Sequence, residues 1–213
     1  MIVAIDGPAA AGKGTLARRL AETLDLAYLD TGLLYRAVGH AVLRAGADPE
    51  DGAAAEAAAR ALDPADLANP ALRTDAAAGA ASKVSAIPGV RAALLAFQRA
   101  FAADPPSGKK GAVLDGRDIG TVVCPAADAK LFVTASVEVR AARRLKELLE
   151  RGEEAIHGRV LRDMKERDAR DSGRDVSPLV PADDAFVLDT SDLDADAVFT
   201  AALKYIRRQT RSG

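Results

Sequence analysis

Five short apolar runs punctuate the chain, with longer patterns of helical spacing between them. MIVAID (1–6), LAYLD (26–30), GAVLDG (111–116), AKLFVTA (129–135) and AFVLDT (185–190) are mostly rich in β-branched or aromatic residues and are bounded by Gly, Pro or Asp, which predicts five strands. Apolar positions recurring at helical spacing predict helices over Thr15–Leu24, Leu33–Ala45, a long Ala-rich stretch from about Asp75 to Ala103, Val137–Glu150, His157–Asp171 and Asp194–Arg208. Strands that alternate with helices argue for a parallel sheet covered on both faces. Asp48–Asn69 is dominated by Ala and Asp with few large apolar residues; it reads as peripheral and helical, although composition leaves a loose insertion open. DPPSGKKG (104–111) and RDSGRDVSPLVPAD (170–183) read as mobile surface elements rather than linkers.

Composition narrows the function. At 213 residues and 49% apolar content the chain suits one main domain. Its 29 basic residues are balanced by 31 acidic ones, so it lacks the footprint of a protein that binds nucleic acid or membranes without sequence preference. Any anionic partner must be gripped locally, and a monomer is the default expectation. Cys124 is the only cysteine, and His40 and His157 are the only histidines, which leaves no disulfide framework and no zinc spacing. Cys124, beside Pro125, reads as a small apolar filler. No apolar run reaches the roughly 18 residues of a membrane span, and the amino terminus enters a strand directly; a cytoplasmic protein is expected.

Directly after the first strand stands GPAAAGKGT, residues 7–15. A loop between a buried strand and a helix gathers backbone N–H groups and a helix amino terminus around one point, which suits an anion. Gly7 and Gly12 permit a backbone approach that a Cβ would block, and Lys13 adds a full charge. Gly7, Gly12 and Lys13 satisfy the phosphate-loop pattern G-x-x-x-x-G-K, while Gly14 stands where Ser or Thr usually follows, with Thr15 one place later. A nucleoside triphosphate is the expected ligand, cradled by Gly7, Pro8, Ala9, Ala10, Ala11, Gly12, Lys13, Gly14 and Thr15. Three classes then remain: a small-molecule kinase, a nucleotide switch, and a mechanical or nucleic-acid ATPase. The N-K-x-D motif of a guanine-specific switch is absent, and a motor would need a larger basic surface or a second domain.

Phosphoryl transfer between two anionic substrates calls for positive charge on the far side of the reaction as well, and for the exclusion of water. Nine arginines fall between residues 140 and 174. Arg140 and Arg144 are one helical turn apart, Arg167, Arg170 and Asp171 share a face, and Arg174 lies just past the stop at Ser172–Gly173. Interleaved Glu147, Glu150, Asp163, Glu166 and Asp168 would also suit a solvated, salt-bridged face; that reading is kept for Arg159 and Arg162.

IDGPAAAGKGTLA (5–17), LDTGLLYRA (29–37), ASKVSAIPGVRAALLAFQRAF (81–101), LDGRDIGTVV (114–123), KERDARDSGRDVSPLVPA (165–182) and FVLDTS (186–191) together resemble the bacterial cytidylate kinases, a branch of the P-loop nucleoside monophosphate kinases. The match runs nearly end to end, and DGRDIGTVV and RDARDSGRDVSPL are its specific parts. The resemblance implies a three-layer α/β/α P-loop kinase fold on a five-stranded parallel sheet: a core of 1–31, 104–143 and 177–213, a helical acceptor-binding lobe at 32–103, and a short lid at 144–176. It implies transfer of the γ-phosphoryl group of ATP to CMP and dCMP. Arg117 would hold phosphate and Asp118 would accept from the amino group of cytosine, where uracil's O4 would be repelled. Ser82 and Arg91 would complete the base pocket, Thr31 and Tyr35 would line it, and Arg36 would meet the acceptor phosphate. Asp171 would contact the sugar hydroxyls, Arg167 and Arg174 would grip the acceptor phosphate, and Arg170 would lie between donor and acceptor phosphates. Arg140 resembles an adenine-stacking arginine and Arg144 a phosphate-contacting one. Mg²⁺ is expected on the donor phosphates mostly through water, with Thr15 as the readable protein ligand.

One departure stands out. The common bacterial form carries a small β-rich insertion before the Ser82 and Arg91 segment, whereas here only PADLANPALRTD (64–75) occupies that place. Rivals of the same fold would use UMP, dephospho-coenzyme A or shikimate as acceptor, and a non-catalytic nucleotide-binding regulator is the alternative from another class.

Overall fold

The computed structural model describes residues 1–210. Five parallel strands form one sheet in the order β2-β3-β1-β4-β5: β1 (Ile2–Asp6), β2 (Ala27–Asp30), β3 (Ala112–Gly116), β4 (Ala129–Thr134) and β5 (Phe186–Asp189). All four pairings are parallel, and Asp6 lies level with Gly116 on one side and Phe132 on the other. Every other residue of the central strands points to the same face. Val3, Ile5, Val113 and Leu131 therefore pack on α1 (Lys13–Leu24) and α8 (Ala195–Gln209), through Leu16, Leu20, Ala202 and Ile206. Ala4, Ala112 and Leu114 face the other way, onto Ala102 of α5 (Pro88–Ala103) and onto Ile119 and Val123 of a π-type turn, Ile119–Val123. Buried Cys124 belongs to this second cluster.

The remaining helices build two satellites around the carboxyl ends of the strands. α2 (Thr31–Arg44), α3 (Gly52–Arg60), α4 (Asp75–Val84) and α5 share a core of Leu34, Val38, Ala55, Val84, Val90 and Leu94. α6 (Val137–Glu150) and α7 (His157–Ser172) pack through Ala141, Leu148, Val160 and Met164. Among the described residues no single helix is long and apolar enough to cross a membrane.

The fold departs from the sequence pattern in four places. The Ala-rich stretch is two helices: Ser85–Ile87 turns the chain, and Pro88, which requires an extended residue before it, opens α5. In Asp48–Asn69 only Gly52–Arg60 is α-helical, started by Asp51 accepting from Ala53 and Ala54; short 3₁₀ turns at Pro64–Ala68 and Pro70–Arg73 follow. α1 and α2 begin two residues earlier than their apolar spacing suggests. Segment 170–183 is not wholly superficial, since Ser177 and Leu179 are buried and Leu179 N–H bonds to Asp171 O at 2.8 Å. The expected core segment 177–213 runs three residues beyond the described ones.

Candidate active site

β1 has neighbours on both sides whose connections leave in opposite directions, so a crevice opens past its carboxyl end, where open α/β sheets bind ligands. The loop Gly7–Gly12 fills the space between β1 and α1. Gly7 is required by crowding: a Cβ there would lie 1.9 Å from Val133 O of β4. Gly12 is required by torsion instead, because its φ of 89° is left-handed while the space beside it is open. Three of the loop's carbonyls are held by side chains. Lys13 Nζ donates to Pro8 O at 2.9 Å, Arg140 Nη1 to Ala9 O at 3.3 Å, and Thr190 Oγ1 to Ala11 O at 3.3 Å. Gly12, as the residue capping α1, offers no side-chain acceptor, so the first amides of α1 open into the crevice without a cap.

Lys13 is only 6% exposed and its ammonium lies 3.9 Å from Asp115 Oδ1. Burial pushes the lysine below its ordinary range and the carboxyl above its own. Asp115, next to last in β3, begins DGRD and lies directly level with Asp30 at the end of β2. A cavity of about 430 Å³ extends from Lys13, Gly14 and Thr15 past these carboxylates to the α2–α4–α5 satellite.

The far wall of the same cavity carries the arginines. Asp171 of α7 is buried and ringed by three of them: Arg117 Nε donates to it at 3.1 Å, Arg174 Nη2 bonds to its other oxygen, and Arg167 Nε lies 3.9 Å away. Burial alone would push this carboxyl up, but Arg117, Arg167 and Arg174 outweigh it and hold it down to about 2. The Nε groups of Arg167 and Arg174 are buried without a hydrogen-bond partner, so the cluster has donors to spare for a further anion. Deeper still, Asp118 and Arg91 form a buried ion pair, and Arg91 also donates to Ser85 O at 3.1 Å and stands 5.5 Å from the Tyr35 ring. Ser82, Thr31 and Tyr35 line this end, with Thr31 Oγ1 donating to Asp115 O at 2.8 Å, while Arg36 lines the cavity with its guanidinium donating to Leu72 O at 3.0 Å.

Of the predicted loop residues Gly7, Pro8 and Ala11 do not line the cavity, and three predicted arginines lie elsewhere. Arg140 is buried beneath the loop, its guanidinium bonded to Asp168, Ala135 O and Ala9 O rather than presented to the cavity. Arg144 and Arg170 line a second cleft between α7 and α4. There Arg144 pairs with Asp75 and Glu147, and Arg170 Nε donates to Ser82 Oγ at 3.3 Å. α7 thus splits its arginines: Arg167 faces both spaces, and Arg170 only the second. Residues not singled out from the sequence also take part. Arg18, Arg73 and Ser85 line the main cavity, and buried Asp6 at the end of β1 accepts from the backbone beyond DGRD.

Comparison with known proteins follows the same line. A family model described as cytidylate kinase matches residues 3–208. The cytidylate kinase of Paramagnetospirillum magneticum is 72% identical over 205 residues, 96% of this chain and 97% of that one. That of Rhodospirillum rubrum is 65% identical over 211 residues, covering 99% of both, and that of Xanthobacter autotrophicus is 60% identical over 206 residues, covering 97% of both. Among solved structures, an uncharacterized protein from Eubacterium ventriosum superposes with a TM-score of 0.57 at 14% identity, covering 97% of this chain and 98% of its own. A sugar kinase from Janibacter does so at 0.51 and 14%, covering 97% and 94%. Such distant likenesses speak to the fold alone, but the sequence matches go further: the chain belongs to the cytidylate kinase family.

Proposed function

We propose that this protein transfers the γ-phosphoryl group of ATP to CMP, and to dCMP as a second acceptor. The observation that carries the reading is that one continuous cavity joins the Lys13 loop to an arginine cluster and ends at the Arg91–Asp118 pair. The donor triphosphate would lie on the loop amides and Lys13. The acceptor phosphate would be held by Arg36, Arg117, Arg167 and Arg174, with Asp171 on the sugar hydroxyls. Asp118 would accept from the cytosine amino group, flanked by Ser82, Arg91, Tyr35 and Thr31, and would repel the carbonyl that uracil presents there. Arg140, Arg144 and Arg170 are assigned to the donor and to the space between the phosphates, which in this conformation requires that their present carboxylate and hydroxyl partners be exchanged.

Chemically, an oxygen of the acceptor phosphate attacks the γ-phosphorus as the bond to the ADP oxygen breaks, so no proton must be removed from the nucleophile. Catalysis then reduces to alignment and charge stabilisation by the lysine and arginines. The cavity's oxygen donors near Lys13, the Thr15 hydroxyl and the Asp30 and Asp115 carboxylates, are hard ligands of the kind Mg²⁺ takes, directly or through water. When bound, that ion would neutralise charge on the donor phosphates. We assign residues 32–103 as the acceptor-binding lobe and 144–176 as a lid over the core. The reading includes a cytoplasmic monomer acting on free nucleotides, with no nucleic-acid or membrane partner; the near-balanced charge supports it.

The test is ADP release with ATP and Mg²⁺ across CMP, dCMP, UMP, AMP, dephospho-coenzyme A and shikimate, against an acceptor-free control. Turnover on CMP and dCMP well above every other acceptor is the expected outcome. Equal or better turnover on UMP would sink the Asp118 assignment while leaving the loop reading intact, and ATP binding without turnover on any acceptor would sink the kinase reading itself.

A further inference from the structure

We propose that Asp6 and Arg99 are positioning residues that clamp the turn after DGRD from both ends, fixing Asp118 and Arg117 in register with the glycine loop. Asp6 is the last residue of β1, immediately before Gly7. Its carboxylate, 4% exposed, accepts from Ile119 N–H and from Gly120 N–H, each at 2.8 Å. These are the first two amides after Asp118. At the other end Arg99 of α5 donates through Nε to Val123 O at 3.1 Å and through Nη2 to Val122 O at 2.9 Å.

The turn needs both. In Ile119–Val123 the chain closes i+5 bonds, Val123 N–H to Asp118 O at 3.1 Å and Cys124 N–H to Ile119 O at 2.7 Å. A single wide turn leaves amides at its start and carbonyls at its end without internal partners. Here a carboxylate takes the first and a guanidinium the last, and each comes from another element. Asp6 is held at a cost: burial outweighs its two amide bonds and pushes its carboxyl up to about 6. An asparagine would offer one acceptor oxygen to two donors. Close packing sharpens the constraint, because a Cβ on Gly120 would sit 3.2 Å from Lys130 Cδ and 3.4 Å from Asp6 Oδ2.

Neither side chain lines the cavity, so neither touches substrate there. Their leverage is on Asp118. α5 reaches that residue twice, directly through Arg91 and, two turns on, through the Arg99 clamp on the turn it begins. Loosening the clamp moves the acceptor side of the site while the loop, tied by Lys13, Arg140 and Thr190, stays in place.

The inference rests on the cytosine reading of Asp118, and the experiment separates the two. Initial rates are measured on full-length Arg99→Met, Arg99→Lys, Asp6→Asn and Asp118→Ala, varying CMP, UMP and ATP in turn. Arg99→Met and Asp6→Asn are expected to raise KM for CMP roughly fivefold or more and to narrow the preference for CMP over UMP, with KM for ATP within about twofold of wild type. Arg99→Lys, which keeps a charged donor on one nitrogen in place of the two-nitrogen fork, should recover part of the loss. The Arg99 side chain is exposed, so its two variants decide the matter even where Asp6→Asn fails to fold. A parallel rise in KM for ATP, or an unchanged KM for CMP in folded Arg99→Met, overturns the clamp. If Asp118→Ala abolishes the preference and Arg99→Met does not alter it, only the clamp falls. If Asp118→Ala leaves the preference intact, the cytosine reading falls and the clamp with it.

Discussion

Asp171 shows how the site stores charge at the scale of one residue. Three arginines converge on a carboxylate that is only 2% exposed, and its carboxyl is held near 2 against an ordinary 3.8. The folded value lies below the unfolded one, so the stability this group contributes is present above about pH 4 and is lost as pH falls towards 2. A shift of that size is worth about 2 kcal/mol. Asp171→Asn should therefore be less stable than wild type at neutral pH, and the gap should close as the solution is acidified from pH 4 towards 2. Urea unfolding across that range checks it, and a gap that did not change with pH would mean that the three arginines are not what holds the carboxylate. Lys13 stands out in the sequence through the phosphate-loop spacing, and Arg167, Asp171 and Arg174 through their grouping on one helix face and its stop, whereas Asp118 enters only through the family resemblance. Asp6 and Arg99 are not legible there, because their partners are backbone atoms 113 and 24 residues away, which no local pattern encodes.

Among the elements, α2 and α4 bring the proposed acceptor end together, since α2 carries Thr31, Tyr35 and Arg36 while α4 carries Ser82. Gly39 lets them meet. A Cβ there would lie 2.8 Å from Ala80 Cβ and 2.9 Å from the α4 backbone, a contact that no rotamer change relieves. Replacing a mid-helix glycine by alanine gains about 1 kcal/mol of helix propensity, whereas forcing apart two packed helices costs about 1–3 kcal/mol. Overpacking wins: Gly39→Ala is expected to lower stability by about 1 kcal/mol and to raise KM for CMP. A variant as stable as wild type in urea would show slack between the helices. This packing is hidden in the sequence, where a run rich in alanine reads as one long helix and only Pro88 betrays the bend. Alanine fits a close helix crossing and an exposed face equally well, so the pattern does not say where α4 ends.

For the whole molecule, the parallel sheet is readable because strands buried on both faces appear as near-continuous apolar runs. Strand order is not, as β3 inserts between β1 and β2 although a whole helical satellite separates it from β2 in the chain, and that order decides which loops share the crevice. The charge balance has a consequence at this scale too. A chain of net charge −2 gathers Arg36, Arg73, Arg117, Arg167 and Arg174 around one cavity, where Asp171 pairs with the last three. Across the second cleft, α6, α7 and the turn between them reach α4 and the turn before it through a few polar contacts: Arg144 to Asp75, Arg151 to Arg73 O at 3.0 Å and Arg170 to Ser82. Only the first of these is an ion pair, and a half-exposed pair is worth about 1 kcal/mol or less, so these contacts cannot hold the proposed lid against substrates that bring several negative charges. Phosphates on both sides of the arginines would exchange those partners and draw residues 144–176 onto the core. Limited proteolysis follows the motion, because the turn after α6 exposes Gly152, Glu153 and Ile156. Cleavage within 151–174 should slow several-fold with CMP plus a non-hydrolysable ATP analogue, and less with either alone, since only together do they place charge on both faces of α7. A cleavage rate indifferent to both ligands at saturation would mean that the segment is already closed in the free chain, and the arginines would then have to act from the positions they now hold.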